Sequence, residues 1–262
     1  MSRAAPNGGV SQPEERPLRI TPDMLLGRRV DLERRLRPAP PITLALGGLL
    51  ALIFVAEIVA GALASPAAIV AAGALEASAV VAGQYWRLLS ATFLHGSLDH
   101  LVGNLIALYI LGLLAERAFG RQQFFVLYVL SGLAGSLLSV LTTPGPSVGA
   151  SGAIFGLQGA AIVLVRRHRE RLLLRDRRIG VVLAAWALYT IVTGFLTPYV
   201  DNAAHIGGAL GGALVARGLH PMILEPMSAE QATRTRRWFW AVAAPLAYTG
   251  IAWLATVMGA PR

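Results

Sequence analysis

Residues 149–156 read Gly-Ala-Ser-Gly-Ala-Ile-Phe-Gly and place a serine, Ser151, among small residues at the start of an apolar segment. A polar loop containing prolines (142–148) precedes them, and the segment ends at Arg166. At about 1.5 Å per residue, a helix over 151–165 is roughly 22 Å long, which is short of the roughly 30 Å hydrocarbon core of a membrane. If the segment lies in a membrane, Ser151 lies within the membrane's thickness, where irregular backbone is tolerated only beside protein or a water-filled cavity.

The composition is typical of a membrane protein. Of the 262 residues, 55% are hydrophobic and 14% are charged, whereas soluble domains carry about 25% charged residues. The net charge of +9 comes from arginines that stand between apolar segments, which favours control of membrane topology over nucleic-acid binding. The chain has no cysteine, which excludes disulfides and thiolate chemistry.

The hydropathy pattern predicts an all-α, polytopic membrane bundle. The apolar segments are residues 42–64, 98–115, 124–141, 151–165, 179–197, 203–216 and 238–258. Residues 65–97 form a long connection that is too polar in places to span. We divide the chain into four parts: a tail (1–41), a six-helix core (42–219), a linker (220–237), and a seventh transmembrane helix with the C-terminus (238–262).

The arginines predict the orientation. Of the 23 basic residues, 21 lie in the tail, the turn at 116–123, the loop at 166–178 or the loop at 217–237. If these segments are cytoplasmic, the N-terminus is inside, the C-terminus is outside, and Ser151 lies toward the outer face. The tail is expected to be mostly disordered or to lie on the membrane, with a short helix possible over 22–36. Arginine and alanine richness suggests a bacterial source, hence the bacterial cytoplasmic membrane.

A second short helix is predicted to start near the outer face and to carry His205. A neutral imidazole within about 2.6–3.2 Å of a serine hydroxyl can remove its proton, which turns serine into a nucleophile. Glycines spaced four apart, Gly152 with Gly156 and Gly208 with Gly212, give both helices smooth faces that can pack closely. The alternative is that the glycines only pack the bundle and that His205 is a buried hydrogen-bonding group.

Polar residues in two other spans also need an explanation. His100 and Asn104 are four apart on one helix face. With the Ser151 N–H they could donate to the oxyanion of an acyl-transfer reaction, or they could only join helices. Glu57 interrupts the first span and is a functional-site candidate, although a protonated or paired carboxyl near the outer end is the favoured interpretation.

Together these residues resemble the rhomboid family of intramembrane serine proteases. The resemblance covers roughly residues 42–219 and rests on an ordered set of motifs. These are Trp86-Arg87, His95 with His100 and Asn104, Glu116-Arg117 with Gly120, Gly149-Ala150-Ser151-Gly152, and Ala204-His205-Ile206-Gly207-Gly208.

The resemblance implies a serine–histidine dyad. Ser151 would be the nucleophile and His205 the general base and then the general acid, with His100, Asn104 and the Ser151 N–H as the oxyanion hole. Gly149 and Gly152 would support the nucleophile.

The resemblance also implies supporting roles. His95 and the Trp86-Arg87 loop would be mainly structural, and Glu116 with Arg117 would order the cytoplasmic turn. Phe155 stands where many rhomboids have tyrosine, and its ring can still stack on the His205 imidazole.

Asp201, four residues before His205, has two interpretations. It could be a third triad member that orients the imidazole, or an acid at the N-terminal cap of the sixth helix.

The predicted function is cleavage of transmembrane segments of other membrane proteins near the outer leaflet. The expected partners are such substrates and the lipid bilayer, and no metal or organic cofactor is expected. One alternative is a non-proteolytic rhomboid-like protein that binds or escorts membrane clients, and another is a small-molecule transporter. The sequence has no His-Glu-x-x-His zinc pattern and no pair of intramembrane aspartates.

Overall fold

The computed structural model describes residues 29–31, 36, 39–173, 179–197 and 200–259. Most of the tail lies outside these residues. Val30–Asp31 form a short strand, β1, which pairs in parallel with β2, Leu172–Leu173. The helix expected over 22–36 is therefore not formed at these two residues, because their backbone pairs with a loop distant in the sequence, and the rest of that segment lies outside the described residues.

The described chain is otherwise helical. The long helices are α1 (Pro41–Val59), α5 (Leu98–Phe119), α6 (Arg121–Thr142), α7 (Ser151–His168), α8 (Ile179–Leu196), α9 (Asn202–Gly218) and α10 (Ala229–Gly259). Three short helices, α2 (Pro66–Ala71), α3 (Ala77–Val81) and α4 (Arg87–Ser90), and a 3-10 turn (Ala91–Phe93) form the connection between α1 and α5.

The predicted fold class is confirmed. Within the described residues, four helices are long and apolar enough to cross a membrane: α1, α5, α6 and α10. Helix α7 runs three residues past the predicted apolar segment into its basic end, and α10 begins at Ala229, before the predicted start at residue 238. Both extensions add polar turns, which hydropathy alone does not detect.

Helix α7 is the centre of the bundle. Twelve of its residues, from Gly152 to Val165, are buried, and α5, α6, α8 and α9 pack around it. The glycine faces predicted for α7 and α9 meet directly: a Cβ added to Gly208 would lie 1.9 Å from the Gly152 carbonyl oxygen, and one added to Gly212 would lie 2.1 Å from that of Gly156. Only glycine allows this approach, and it brings the N-terminal ends of the two helices together.

Glu116 caps helix α1 at the opposite end of the bundle. Its carboxylate accepts hydrogen bonds from the backbone N–H groups of Ile42 (3.1 Å) and Thr43 (2.8 Å) and from the Thr43 hydroxyl (2.8 Å). These are orphan donors of the first helical turn, which otherwise would be buried without partners. The Arg117 guanidinium donates to the Ala39 carbonyl. The two residues thus fix the turn after α5 to the start of α1.

Candidate active site

Ser151 and His205, which are 54 residues apart in the chain, lie in hydrogen-bond contact. The distance between His205 Nε2 and Ser151 Oγ is 2.9 Å. Ser151 is the first residue of α7, and His205 lies in the first turn of α9. His205 is only 9% exposed, whereas Ser151 is partly buried. The contact follows from the glycine packing of α7 on α9, which places the two helix N-termini side by side.

Phe155 holds the imidazole from one side. Its ring stacks on that of His205 with centroids 4.3 Å apart and planes 14° apart, so the stack expected from the sequence is present. Ser151 and Phe155 are four residues apart and share one face of α7. Among the described residues, His205 Nδ1 has no hydrogen-bond partner, so packing rather than an acid orients the ring.

Asp201 is the N-cap of α9. Its carboxylate accepts from the Ala204 N–H (2.9 Å), the Ser139 hydroxyl (2.5 Å) and the Thr143 hydroxyl (3.0 Å). The N-cap interpretation is confirmed. The carboxylate joins α9 to the end of α6 rather than reaching the His205 ring.

His100 and Asn104 flank the backbone just before the serine. Gly149 has φ +131°, and a Cβ there would lie 2.7 Å from His100 Nε2 and 3.6 Å from Asn104 Nδ2. Glycine is therefore required at this position both for its backbone conformation and for space. The His100 and Asn104 side chains thus lie beside the turn that leads into α7. The first N–H groups of α7 follow this turn and have no partner within their own helix.

A buried chain of contacts supports Asn104. Its side-chain nitrogen lies 3.0 Å from His95 Nε2, and the His95 backbone N–H donates to the Glu57 carboxylate at 3.1 and 3.2 Å. His95 is fully buried and its ring packs edge-on against His100, with centroids 5.2 Å apart. The Glu57 carboxyl is thus paired with a buried backbone N–H, which agrees with the interpretation favoured from the sequence. Its link to Asn104 through His95 was not predicted, since no local pattern joins residues 57 and 95.

The Trp86-Arg87 motif organises the connection before α5. The Arg87 guanidinium donates to the carbonyls of Val70 (2.6 Å) and Ala74 (2.8 Å) and to Gln84 Oε1 (2.6 Å), and it lies 4.7 Å from the Trp86 ring centroid. Burial lowers the pKa of Arg87 from its ordinary value. These contacts match the structural role that the resemblance implied.

The loop that leads into Ser151 is held by two other segments, which the sequence did not predict. Leu75 and Ser147 exchange both backbone hydrogen bonds, each 2.9 Å long, and the Gly149 N–H donates to the Ala91 carbonyl at 2.9 Å. Residues 75 and 147 are far apart in the chain and neither stands in a strand pattern. No sequence signal pointed to this pairing.

A small cavity lies behind this loop. Hydroxyl side chains from Thr92, Ser136 and Ser147 line it together with Gly149 and Gly152. Within the described part of the chain, no three His, Asp or Glu side chains stand close enough to hold a metal ion.

Comparison with known proteins places this site in a family. The family model of the rhomboid domain matches residues 82–222, which is more than half of the chain. The chain is 38% identical over 151 residues to Rhomboid protease GluP of Bacillus subtilis (strain 168), covering 58% of this chain and 29% of that protein. It is 43% identical over 144 residues to RHOMBOID-like protein 5 of Arabidopsis thaliana, covering 53% and 46%.

A third relative bears on activity. Inactive RHOMBOID-like protein 8 of Arabidopsis thaliana is 36% identical over 128 residues, covering 48% of this chain and 35% of that protein. The chain spans less than half the length of each of these three relatives. The family match nevertheless includes α4, the 3-10 turn and helices α5 to α9. The protein is a multi-pass membrane protein that belongs to the rhomboid family.

Proposed function

We propose that this protein is an intramembrane serine endopeptidase that cleaves transmembrane segments of other membrane proteins near the outer leaflet. The observation that carries the proposal is the 2.9 Å contact between His205 Nε2 and Ser151 Oγ, which is the geometry a base needs to activate a nucleophile. The names of two relatives in the family, Rhomboid protease GluP and Putative rhomboid protease YdcA, both of Bacillus subtilis (strain 168), agree with it.

The first half of the reaction forms an acyl-enzyme. His205 Nε2 takes the hydroxyl proton of Ser151 while Oγ attacks the carbonyl carbon of the scissile peptide bond. The same nitrogen then gives that proton to the leaving amine, and the C–N bond breaks. In the second half, His205 Nε2 removes a proton from water, whose oxygen attacks the ester carbon. The ester C–O bond then breaks, Nε2 returns the proton to Ser151 Oγ, and the new carboxyl end is released. This requires Nε2 to start unprotonated, with the proton of the neutral ring on Nδ1.

His100, Asn104 and the Ser151 N–H are proposed as oxyanion donors. The proximity of both side chains to the Gly149 backbone supports this role, because a carbonyl under attack by Ser151 would place its oxygen beside that turn. The Asn104 amide also contacts His95 Nε2. That contact uses one of the two amide protons and leaves the other free to donate to the oxyanion.

The substrate must unwind to be cut. Peptide bonds in an intact helix are shielded by their own hydrogen bonds, so we propose substrates with small residues at the cut and helix-weakening glycine or proline nearby. Family resemblance suggests entry near α5 and α8. Helix α8 has an exposed apolar surface that includes Leu188 and Phe195, and the Gln158 side chain donates to its Leu183 carbonyl at 2.8 Å.

The proposed orientation places Ser151 toward the outside. Two of the arginine-rich loops meet at one end of the bundle: Arg167 donates to the Arg217 carbonyl at 2.9 Å, and Arg171 pairs with Glu225 at 3.0 Å. A cytoplasmic location for that end satisfies the positive-inside rule. The N-terminus would then be cytoplasmic and the C-terminus outside, in a bacterial cytoplasmic membrane.

The client-binding alternative does not require a serine and a histidine in contact, whereas the peptidase proposal does. One relative is named inactive, so family membership alone does not establish proteolysis. Here the hydroxyl and the imidazole are both present and in contact, which favours the enzyme. The transporter alternative does not explain why Ser151, His205, His100 and Asn104 lie together.

The test is cleavage and active-site labelling of the wild-type protein in liposomes. We expect cleavage of a reporter transmembrane substrate. We also expect reaction with a fluorophosphonate, in which Ser151 Oγ bonds to phosphorus and fluoride leaves, so that mass spectrometry finds the adduct on Ser151 and cleavage stops. A folded protein that neither cleaves several substrates nor labels would support the client-binding alternative instead.

Phe155 gives a graded prediction at the same site. We expect Phe155→Ala to lower kcat about tenfold or more, because His205 loses the ring that orients it and has no hydrogen bond to Nδ1 among the described residues. Phe155→Tyr keeps the stack and should retain most activity. Steady-state kinetics on the reporter substrate measures both. Unchanged kcat in a folded Phe155→Ala protein would show that the stack does not position the imidazole.

A further inference from the structure

The Trp253 side chain of helix α10 contacts the connection before α5. The indole N–H of Trp253 donates to the Ala72 carbonyl at 2.5 Å. The next residue, Gly73, has φ +112°, and a Cβ there would lie 2.8 Å from Trp253 Cδ1 and 3.1 Å from Trp86 Cζ3. Gly73 is thus held between two indole rings, one from the connection and one from the last helix.

The segment that Trp253 contacts is held by several side-chain hydrogen bonds. The Ser90 hydroxyl donates to the Gly73 carbonyl at 2.9 Å, and the Arg87 guanidinium bridges the carbonyls of Val70 and Ala74. With the bond from Trp253 to Ala72 included, four of the five backbone carbonyls of residues 70–74 therefore accept a side-chain hydrogen bond. A segment tied in this way transmits a displacement rather than absorbing it.

The same segment continues into the loop of the proposed nucleophile. Leu75 follows it directly and exchanges two 2.9 Å backbone hydrogen bonds with Ser147. Ser147 is two residues before Gly149, whose backbone lies against His100, and four before Ser151. A continuous path of hydrogen bonds and covalent chain therefore runs from Trp253 through residues 72–75 and 147–150 to the serine.

We propose that Trp253 of the seventh helix is a positioning residue, which sets the placement of Ser151 and its oxyanion donors through the 72–75 segment and the Leu75–Ser147 pair. The inference rests on the proposed peptidase function. It assigns a role to a helix that carries no chemistry of its own and that lies outside residues 82–222, which match the family model. Simple packing of α10 does not require an indole N–H aimed at a loop carbonyl, because an apolar ring would fill the same space.

The test compares one conservative change at two tryptophans of α10. Trp253→Phe keeps an aromatic ring and removes the donor, whereas Trp238→Phe makes the same change at a residue that is 57% exposed. We expect Trp253→Phe to lower kcat about three- to tenfold with KM unchanged, and to slow the fluorophosphonate reaction of Ser151 by a similar factor. Trp238→Phe should match the wild type in both measurements. Trp253→Ala should have a larger effect in the same direction.

The readouts separate positioning from stability and from the proposed function. Thermal unfolding of each variant in the full chain should show Trp253→Phe folded at the assay temperature. If it is folded and labels Ser151 at the wild-type rate, or if only KM changes, the positioning role is wrong. If activity falls only in step with the folded fraction, Trp253 is structural and the inference fails. A wild-type protein whose Ser151 does not label would instead overturn the proposed function.

Discussion

Ser151→Ala is expected to abolish cleavage of a reporter transmembrane substrate, lowering kcat by at least about 10⁴-fold. Removing the nucleophile of a serine–histidine pair leaves only the catalysis supplied by binding and oxyanion stabilisation. His205 would remain stacked on Phe155, because the 4.3 Å ring contact does not involve the serine. The loss should therefore be one of kcat in a folded protein, measured with purified variants in liposomes.

A second serine provides the matched control. Ser78 lies exposed in the connection before α5, and its hydroxyl contacts only the neighbouring Glu76 carboxylate among the described residues. Ser78→Ala should cleave and label like the wild type. Equal cleavage by wild type and Ser151→Ala would point to another nucleophile or to a contaminating protease and would remove Ser151 from the proposed site.

The helical framework could be predicted because it depends on local sequence. Apolar runs predicted most boundaries of the long helices to within a few residues, and the break before Ser151 predicted the start of α7. The end of α1, at Val59 rather than at residue 64, and the polar start of α10 at Ala229 were less well predicted. The short helices α2 to α4 were not predicted. The strand pair between residues 30–31 and 172–173 could not be predicted, because two residues carry no periodic pattern.

The site was predictable where small residues and polar residues recur at helical spacing. Gly152, Gly208 and the polar pair of α5 fall in such patterns, but spacing alone left two interpretations open. The family resemblance implied the dyad, and the structure places Ser151 and His205 in contact. Contacts between loops were not predictable. The Leu75–Ser147 pairing and the Trp253 contact depend on how distant loops fold over the bundle, and tryptophan in an apolar helix is common at membrane interfaces without any partner.

Gly208→Ala is expected to slow cleavage roughly 10²-fold, although Gly208 takes no part in the chemistry. The new Cβ would lie 1.9 Å from the Gly152 carbonyl oxygen and 2.6 Å from its carbonyl carbon. These atoms belong to backbone and cannot rotate away, so α7 and α9 must separate by on the order of 1 Å. A misplacement of about 1 Å between reacting groups costs roughly 10²-fold in rate, and overpacking costs about 1–3 kcal/mol of stability.

The displacement would act directly on the proposed dyad, since Gly152 follows Ser151 and Gly208 lies three residues after His205. Gly48→Ala is the control, because Gly48 also lies within a helix but a Cβ there would meet nothing within 4 Å. That variant should keep full activity. Its free energy of unfolding should rise by about 0.5–1 kcal/mol, because alanine is a better helix former than glycine. Measuring the fluorophosphonate rate of Gly208→Ala in folded protein isolates the dyad from substrate binding. A wild-type rate there would mean that the close approach of α7 and α9 does not bring the serine and the histidine together, and that the loops alone suffice.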